Sequence, residues 1–132
     1  LCGFGSKTKT PILHKEKAER YTIYVGLADR NEYEQKVSFE KASSLVSNVC
    51  RNYNMSFSLV LQQGGYFHHN GQFVDETSLA VSLINAEQCL VDEVASDLCC
   101  FFNQESVMVT CEKIRVYSVE NNIDLNETDL KP

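Results

Sequence analysis

The side chains best suited to bind a ligand lie where an amphipathic segment gives way to a β-patterned one, in the run Asn103-Gln104-Glu105-Ser106-Val107. Phe101 and Phe102 precede this run, so amide and carboxylate groups follow directly on aromatic surface. A junction of this kind is either a helix terminus or the polar floor of a pocket. The periodicity of the residues leaves both interpretations open.

A second group with binding chemistry consists of arginines in the central part of the chain, Arg30, Arg51 and Arg115. Guanidinium groups bind phosphate through two parallel hydrogen bonds, and an aromatic face can stack on an adenine. The aromatic candidates are Tyr66, Phe101 and Phe102. Together these residues would form a nucleotide site at a dimer interface. Three arginines spread over a domain are more often solvated, so spacing alone does not establish the site.

Sequence motifs for hydrolysis and for metal binding are missing from the chain. It has no G-x-S-x-G, H-E-x-x-H or P-loop pattern, and its six cysteines form no C-x-x-C pair. His68 and His69 are neighbours and would point to opposite faces of a strand, so they are poorly placed to share a metal ion. Glu76 or Glu105 could act as a general base if its pKa were raised, but Glu76 is better explained as a charge at a rim. We therefore expect a protein that is not an enzyme and has no metal site and no cofactor.

The charge distribution limits the partners of the chain. A net charge of −6 over 132 residues disfavours non-specific binding to nucleic acid. No apolar run reaches the roughly 18 residues that span a bilayer, and the cysteine pattern fits a reduced protein, so we expect a cytoplasmic chain without membrane contact. Basic residues crowd the start of the chain and acidic residues its end. This predicts a flexible basic arm over 1–19, a single domain over 20–119 and a flexible acidic tail over 120–132.

Hydrophobic periodicity predicts the elements that position these residues. Residues 21–25 alternate with period two, which predicts a first strand that ends at Gly26. Ser38 is placed to cap a first helix that ends near 52–54. A second strand follows over 55–61, and Gly64-Gly65 either ends it or forms a bulge.

The second half of the chain repeats the pattern in a different order. Asn70-Gly71 predicts a type I′ hairpin turn, because both residue types accept a positive φ. A third strand is predicted over 73–84. Asn85 is predicted to cap a second helix, with Gln88 completing a capping box, and Asn103 is predicted to end that helix.

A last strand beginning near Ser106 completes the order β-α-β-β-α-β. Two right-handed crossovers then build a four-stranded antiparallel sheet with both helices on one face, the α+β architecture called ferredoxin-like. The other face stays uncovered and is half-apolar, which suits pairing with a second copy of the chain. We therefore predict a homodimer or a higher oligomer. The residues predicted on this open face are Thr22, Tyr24, Ser58, Val60, Ala80, Ser82, Met108 and Thr110.

Several short motifs resemble, in their order along the chain, those of two known groups of proteins. The motifs are Tyr24-Val25-Gly26-Leu27, Gly65-Tyr66, Asn70-Gly71, Asp75-Glu76-Thr77-Ser78 and Phe102-Asn103-Gln104-Glu105-Ser106-Val107. One group is an uncharacterised bacterial family of small ferredoxin-like domains. The other is the phage Thoeris anti-defence family, sponges that sequester a cyclic ADP-ribose signal without cleaving it. The resemblance covers about three quarters of the chain, from Tyr21 to Val119.

The resemblance to the phage family implies a site that binds a nucleotide in the cytoplasm of an infected bacterial cell, without catalysis. It implies arginines for the diphosphate, an aromatic ring for the base, an amide for the base edge and a small residue that leaves room for the ligand. Arg30 and Arg115 would hold the diphosphate, and Phe101 or Phe102 would stack on the base. Asn103 would bind the base edge, and Ala28 would leave room for the ligand. Gln104 and Glu105 are expected to make local backbone hydrogen bonds.

Two alternatives to the sponge stay open on the sequence. The first is a ferredoxin-like domain whose open face serves only oligomerisation or protein contact, with no nucleotide ligand. The second is a small enzyme that uses Glu76 or Glu105.

Overall fold

The computed structural model describes residues 12–31, 34–67 and 69–121. Its elements follow the predicted order, and the strands form one four-stranded sheet in the order β2-β3-β1-β4. The predicted ferredoxin-like α+β fold is confirmed. The elements are β1 (Ile12–Gly26), α1 (Phe39–Asn52), β2 (Ser58–Phe67), β3 (Phe73–Ile84), α2 (Gln88–Phe101) and β4 (Met108–Glu120).

The chain divides into two compact units. One unit is Glu19–Lys113, which contains both helices, β2 and β3. Of the other unit, the structure describes residues 12–18 and 114–121, which include the first part of β1 and the last part of β4. Because β1 begins at Ile12, residues 12–19 of the predicted flexible arm are strand. The remaining arm and the predicted acidic tail from residue 122 lie outside the described residues.

The core of the Glu19–Lys113 unit lies between the sheet and the two helices. β1 and β3 pair antiparallel with Ile23 opposite Val81, and the core takes Tyr21, Ile23 and Val25 from β1 and Leu79, Val81 and Leu83 from β3. The helices contribute their apolar stripes, as their periodicity predicts. The buried helical residues are Ala42, Val46, Val49 and Cys50 on α1 and Val91, Val94, Ala95 and Leu98 on α2. Burial raises the pKa of the Cys50 thiol to about 11, so it packs there as a neutral group.

The two helices end in the same way, and this brings loops back to the sheet. Asn54 and Asn103 follow α1 and α2 in the left-handed conformation, with φ of 53° and 48°. In each case the next residue donates its N–H to a carbonyl of the last turn: Met55 to Cys50 at 2.9 Å, and Gln104 to Cys99 at 2.9 Å. These bonds satisfy carbonyls that the helix leaves open. The prediction that Asn103 ends α2 is confirmed.

The two helices begin differently. Ser38 caps α1 as predicted, because its hydroxyl accepts a hydrogen bond from Lys41 N at 3.2 Å. The predicted cap at Asn85 is wrong. Asn85 has a φ of 61° and donates its N–H to Glu19 O, whereas a capping residue has an extended backbone. The cap position of α2 is Glu87, whose side chain makes no capping bond.

The hairpin between β2 and β3 differs from its prediction in two details. β2 runs over Ser58–Phe67, and its glycines Gly64 and Gly65 are paired inside the ladder with Glu76 and Asp75. They neither end the strand nor form a bulge. The turn is not type I′, because the positive φ of 86° is at Gly71 while Asn70 instead accepts a hydrogen bond from Gln72 N.

Among the described residues, no helix packs on the face of the sheet opposite α1 and α2, as predicted, but the face is only partly exposed, because Thr22 and Ala80 are 6% and 7% exposed. On it Tyr24 of β1 lies across from Ala80 of β3, which in turn lies across from Val60 of β2. Val60 is 56% exposed and Met108 is 59% exposed, so apolar surface remains open to solvent. In the described chain, neither helix is long and apolar enough to cross a membrane.

Candidate functional site

The loop after β1 meets the loop after α2, and this brings three predicted site residues together. Arg30 N donates to Asn103 O at 3.1 Å. The Asn103 side-chain amide donates to Asp29 Oδ2 at 2.8 Å, and the Gln104 amide donates to Ala28 O at 2.6 Å. Ala28, Arg30 and Asn103 are therefore neighbours in the fold, although more than seventy residues separate the two loops.

A cavity of about 560 Å³ lies beside the end of α2 and the start of β4. We call it the α2 cavity. Arg30 and Asn103 line it, together with two acidic residues, Asp92 and Glu105, and with the cysteines Cys99 and Cys100. The acidic side chains offset the single guanidinium. A diphosphate bound here would face one cation and two carboxylates, which is weak electrostatic support for a dianion.

The other three predicted site residues are not brought to this cavity. Phe102 is 6% exposed and belongs to the hydrophobic core, so its ring has no free face for a base. Phe101 is 59% exposed, and among the described residues it lines neither the α2 cavity nor the cavity described next. Arg115 lies on β4 in the other compact unit.

A second cavity, of about 640 Å³, lies on the uncovered face of the sheet. We call it the open-face cavity. Strand pairing explains its composition, because Gly26, Ser78 and Gln62 stand side by side on β1, β3 and β2. Its lining comes from β1, β2 and β3, from the segment that leads into β4 and from Met108, the first residue of β4. The lining residues are Tyr24, Gly26, Gln62, Tyr66, Glu76, Ser78, Gln104, Ser106 and Met108.

Glu76 gives the open-face cavity its electrostatic character. It is the charged residue among the described residues that line the cavity, and no lysine or arginine is among them. Partial burial raises the pKa of its carboxyl above the ordinary value of 4.5. Desolvation disfavours the ionised carboxylate, and a cation bound beside it would offset that cost.

Two glycines lie beside Glu76, and they differ in the space that they leave. Gly64 pairs with Glu76 in the β2–β3 ladder, and a Cβ added there would meet no atom within 4 Å. A Cβ added to Gly26 would lie 2.9 Å from Glu76 Oε1 and 2.8 Å from Gln104 Oε1. A smaller cavity of about 390 Å³ adjoins on the β2–β3 side and shares Glu76, Ser78, Gln62 and Tyr66. The carboxyl therefore adjoins open space on the Gly64 side and lies close against Gly26 on the other.

Gln104 belongs to both cavities and is held firmly. Its backbone N–H donates to Cys99 O at 2.9 Å, and its backbone carbonyl accepts from Cys99 Sγ at 3.2 Å. Its side-chain nitrogen donates to Ala28 O at 2.6 Å and to Phe102 O at 3.2 Å. The expected local backbone hydrogen bonds of Gln104 are thus present, and the side-chain oxygen is left on the side of the open-face cavity.

The predicted site set contains none of the open-face cavity residues. The sequence predicts Tyr24 on the open face, Tyr66 as a stacking ring and Glu76 as a candidate base, but their spacing does not indicate that they lie together. Joining them requires the strand register, which puts Gln62, Ser78 and Gly26 in one row. In the part of the chain that the structure describes, no group of three or more His, Cys, Asp or Glu side chains is placed to hold a metal ion.

Comparison with known proteins finds similarity at the level of structure. No protein-family model matches the chain, and no curated protein matches it. A phage SAM lyase bound to S-methyl-5′-thioadenosine has a TM-score of 0.59 at 20% identity, covering 81% of this chain and 93% of that one. The apo form of a phage SAM lyase has a TM-score of 0.60 at 20% identity, and the match covers 82% of this chain and 94% of that one. CutA from Synechococcus elongatus has a TM-score of 0.54 at 13% identity, and the match covers 81% of this chain and 85% of that one. At these identities the similarity shows a shared fold.

Proposed function

We propose that the open-face cavity binds an adenosine-derived sulfonium of the S-adenosylmethionine class and that the chain cleaves it to S-methyl-5′-thioadenosine. The observation that carries the proposal is the lining of the cavity, in which Glu76 is the charged residue and no lysine or arginine takes part. The phage SAM lyase supports it, because a protein of the same fold takes this ligand class.

The electrostatics of the cavity select the ligand charge. A sulfonium carries one positive charge, and a partly buried carboxylate attracts it more strongly than an exposed carboxylate would. The rings of Tyr24 and Tyr66 line the same cavity, and aromatic faces attract cations. A diphosphate would be repelled by Glu76 and would find no guanidinium there. The cavity therefore favours S-adenosylmethionine over cyclic ADP-ribose.

The proposed reaction needs no cofactor. The bond that breaks joins the sulfonium sulfur to the methionine γ carbon, and the electron pair stays on sulfur. S-methyl-5′-thioadenosine leaves as a neutral thioether, and the carboxylate of the ligand closes on the γ carbon to form a lactone. Opposite charges disappear in this step, so reduced solvation of the bound ligand favours it. Glu76 holds the cation in place, and the chain needs no motif for activating water.

Incubation of the purified chain with S-adenosylmethionine, followed by denaturation and mass spectrometry of the small molecules, tests the proposal. We expect S-methyl-5′-thioadenosine to accumulate with the wild-type chain and, at subsaturating S-adenosylmethionine, to fall at least about fivefold with Glu76→Gln, because the charge that holds the cation is removed. Asp75→Asn is the matched control, since Asp75 is exposed and is the neighbour of Glu76 on the same strand. Recovery of S-adenosylmethionine unchanged, without retention by the protein, would contradict the proposal.

The nucleotide sponge is the second candidate function. The observation that favours it is the hydrogen-bonded meeting of Ala28, Arg30 and Asn103 beside the α2 cavity. Under this candidate, cyclic ADP-ribose binds at Arg30 and is recovered intact. Arg30→Ala would abolish that binding, and Glu76→Gln would leave it unchanged. Ala28→Trp would block it by filling the space beside the loop.

Self-association belongs to the same proposal. The open-face cavity is broad, and exposed apolar side chains, Val60 and Met108, stand beside it. Burying them against a second copy would also reduce the exposure of a bound ligand. We propose a homodimer or higher oligomer that acts in the cytoplasm of an infected bacterial cell. Sedimentation at micromolar concentration should show an oligomer, and a monomer alone would contradict this part.

A further inference from the structure

Two adjoining cavities share part of their lining, and the shared part carries their charge. The smaller cavity, of about 390 Å³, is lined mainly by β2, and we call it the β2 cavity. Both cavities include Gln62, Tyr66, Glu76 and Ser78. Strand pairing places these residues together, because Gln62 lies across from Ser78 and Gly64 lies across from Glu76. Among the described residues that line either cavity, Glu76 alone is charged, so the charge lies where the two cavities adjoin.

The parts that belong to one cavity alone differ in their chemistry. Tyr24 and Met108 line only the open-face cavity, and a phenol ring and a thioether both pack well against a flat aromatic base. The residues that line only the β2 cavity are Gln63, Gly64 and Gly65, which supply no ring and no charge. An aromatic base is therefore better matched to the open-face side.

The β2 cavity instead offers space and neutral polar groups. A Cβ added to Gly64 would meet no atom within 4 Å, so β2 leaves room on this side. The carboxamides of Gln62 and Gln63 can each donate and accept hydrogen bonds. β2 is also an edge strand of the sheet, and an edge strand presents backbone N–H and C=O groups that pair with no other strand. Such a lining can bind an ammonium and a carboxylate whose charges cancel.

We infer that the β2 cavity is the subsite for the amino-acid chain of S-adenosylmethionine, with the base at Tyr24 and Met108 and the sulfonium beside Glu76. The inference rests on the proposed function, because it assigns parts of that ligand to parts of the site. The chain of the ligand carries an ammonium and a carboxylate that balance, so the sulfonium is the charge without a partner in the ligand. Glu76 supplies that partner where the two cavities adjoin. The reverse orientation would put the base against glutamine amides and glycines, and the charged chain against Tyr24 and Met108.

Two neutral relatives of the ligand isolate the contribution of the amino-acid chain. S-adenosylhomocysteine keeps the chain, and S-methyl-5′-thioadenosine has a methyl group in its place. Neither compound carries a sulfonium, so neither undergoes the proposed cleavage and neither depends on the charge of Glu76 at sulfur. Equilibrium dialysis of both compounds against one protein therefore measures the effect of the chain alone.

Filling the β2 cavity from the protein side should affect only the compound that has the chain. Gly64→Leu adds a side chain where the structure has open space, and it should weaken S-adenosylhomocysteine about tenfold and S-methyl-5′-thioadenosine less than about twofold. Val60→Leu is the matched control, because Val60 lies on the same face of β2, is exposed and lines neither cavity. It should leave both affinities unchanged. Thermal unfolding checks that each variant is folded, and Gly64→Val, with a side chain that suits a strand, carries the same comparison if Gly64→Leu does not fold.

The outcomes separate this inference from the proposed function. If neither compound binds the folded wild-type chain, the proposed function fails and the inference fails with it. If both compounds bind and Gly64→Leu weakens them equally or weakens neither, the proposed function stands and the chain subsite is overturned. A larger loss for S-methyl-5′-thioadenosine would also overturn it, because the base and not the chain would then occupy the β2 cavity.

Discussion

Replacing Glu76 by glutamine should weaken binding of a cationic ligand much more than binding of its neutral relative. A unit charge pair 4 Å apart interacts by about 1 kcal/mol in water and by about 4 kcal/mol at the effective dielectric near a protein surface. Glu76 is partly buried on an open face, so we take the lower half of this range, about 1–2.5 kcal/mol. That corresponds to a loss of about 5- to 70-fold for S-adenosylmethionine. The neutral S-methyl-5′-thioadenosine should lose less than about threefold, a hydrogen-bond change alone.

Equilibrium dialysis in the cold, with both compounds quantified by mass spectrometry, measures this difference even if the wild-type chain turns over slowly. Asp75→Asn removes one negative charge from the neighbouring residue and controls for net charge. The affinity ratio of the two compounds should fall toward one in Glu76→Gln and stay unchanged in Asp75→Asn. Equal losses for both compounds in Glu76→Gln would refute the charge argument, because uncharged packing would then explain the effect.

Three further predictions concern pH and folding. Affinity for S-adenosylmethionine, measured by dialysis, should fall as pH drops through the pKa of Glu76, which burial places above 4.5, and Glu76→Gln should lack this dependence. A raised carboxyl pKa means that ionisation of Glu76 opposes folding as pH rises. At neutral pH the free energy of unfolding of Glu76→Gln should therefore equal that of the wild type or exceed it by up to about 0.5 kcal/mol. This difference should vanish below pH 4.5, where the wild-type carboxyl is protonated in both states. Asn103→Ala should cost about 1 kcal/mol more in denaturant unfolding than Asn103→Gly, since residue 103 has a φ of 48°; equal costs would contradict the helix-end argument.

The fold was accessible from the sequence because each element carries its own periodic signal. The stripe of α1 behind Ser38 and the alternation of β3 are local patterns, and both predictions are confirmed. Errors arose where a residue type has two uses. Asparagine can cap a helix or adopt a left-handed backbone conformation. Asn85 adopts the left-handed conformation, and its N–H donates to Glu19 O, which is distant in the sequence.

The candidate site was accessible only in part, for a related reason. Three of the residues that the resemblance implied, Ala28, Arg30 and Asn103, lie together, and their role in binding stays a prediction. The open-face cavity depends instead on register across three strands, which no local pattern specifies. The orientation of the Gln104 amide depends on Ala28 O, 76 residues away in the chain. Phe102 carried no signal that it would be buried while its neighbour Phe101 is exposed.

The most direct test of the account compares two variants for binding of one ligand. Dialysis of S-adenosylmethionine against wild-type chain, Glu76→Gln and Arg30→Ala separates the open-face cavity from the α2 cavity, because each cavity includes one of these residues and not the other. The account predicts saturable binding to wild type, at least about fivefold weaker binding to Glu76→Gln, and unchanged binding to Arg30→Ala. Binding that is lost in Arg30→Ala and retained in Glu76→Gln would contradict it.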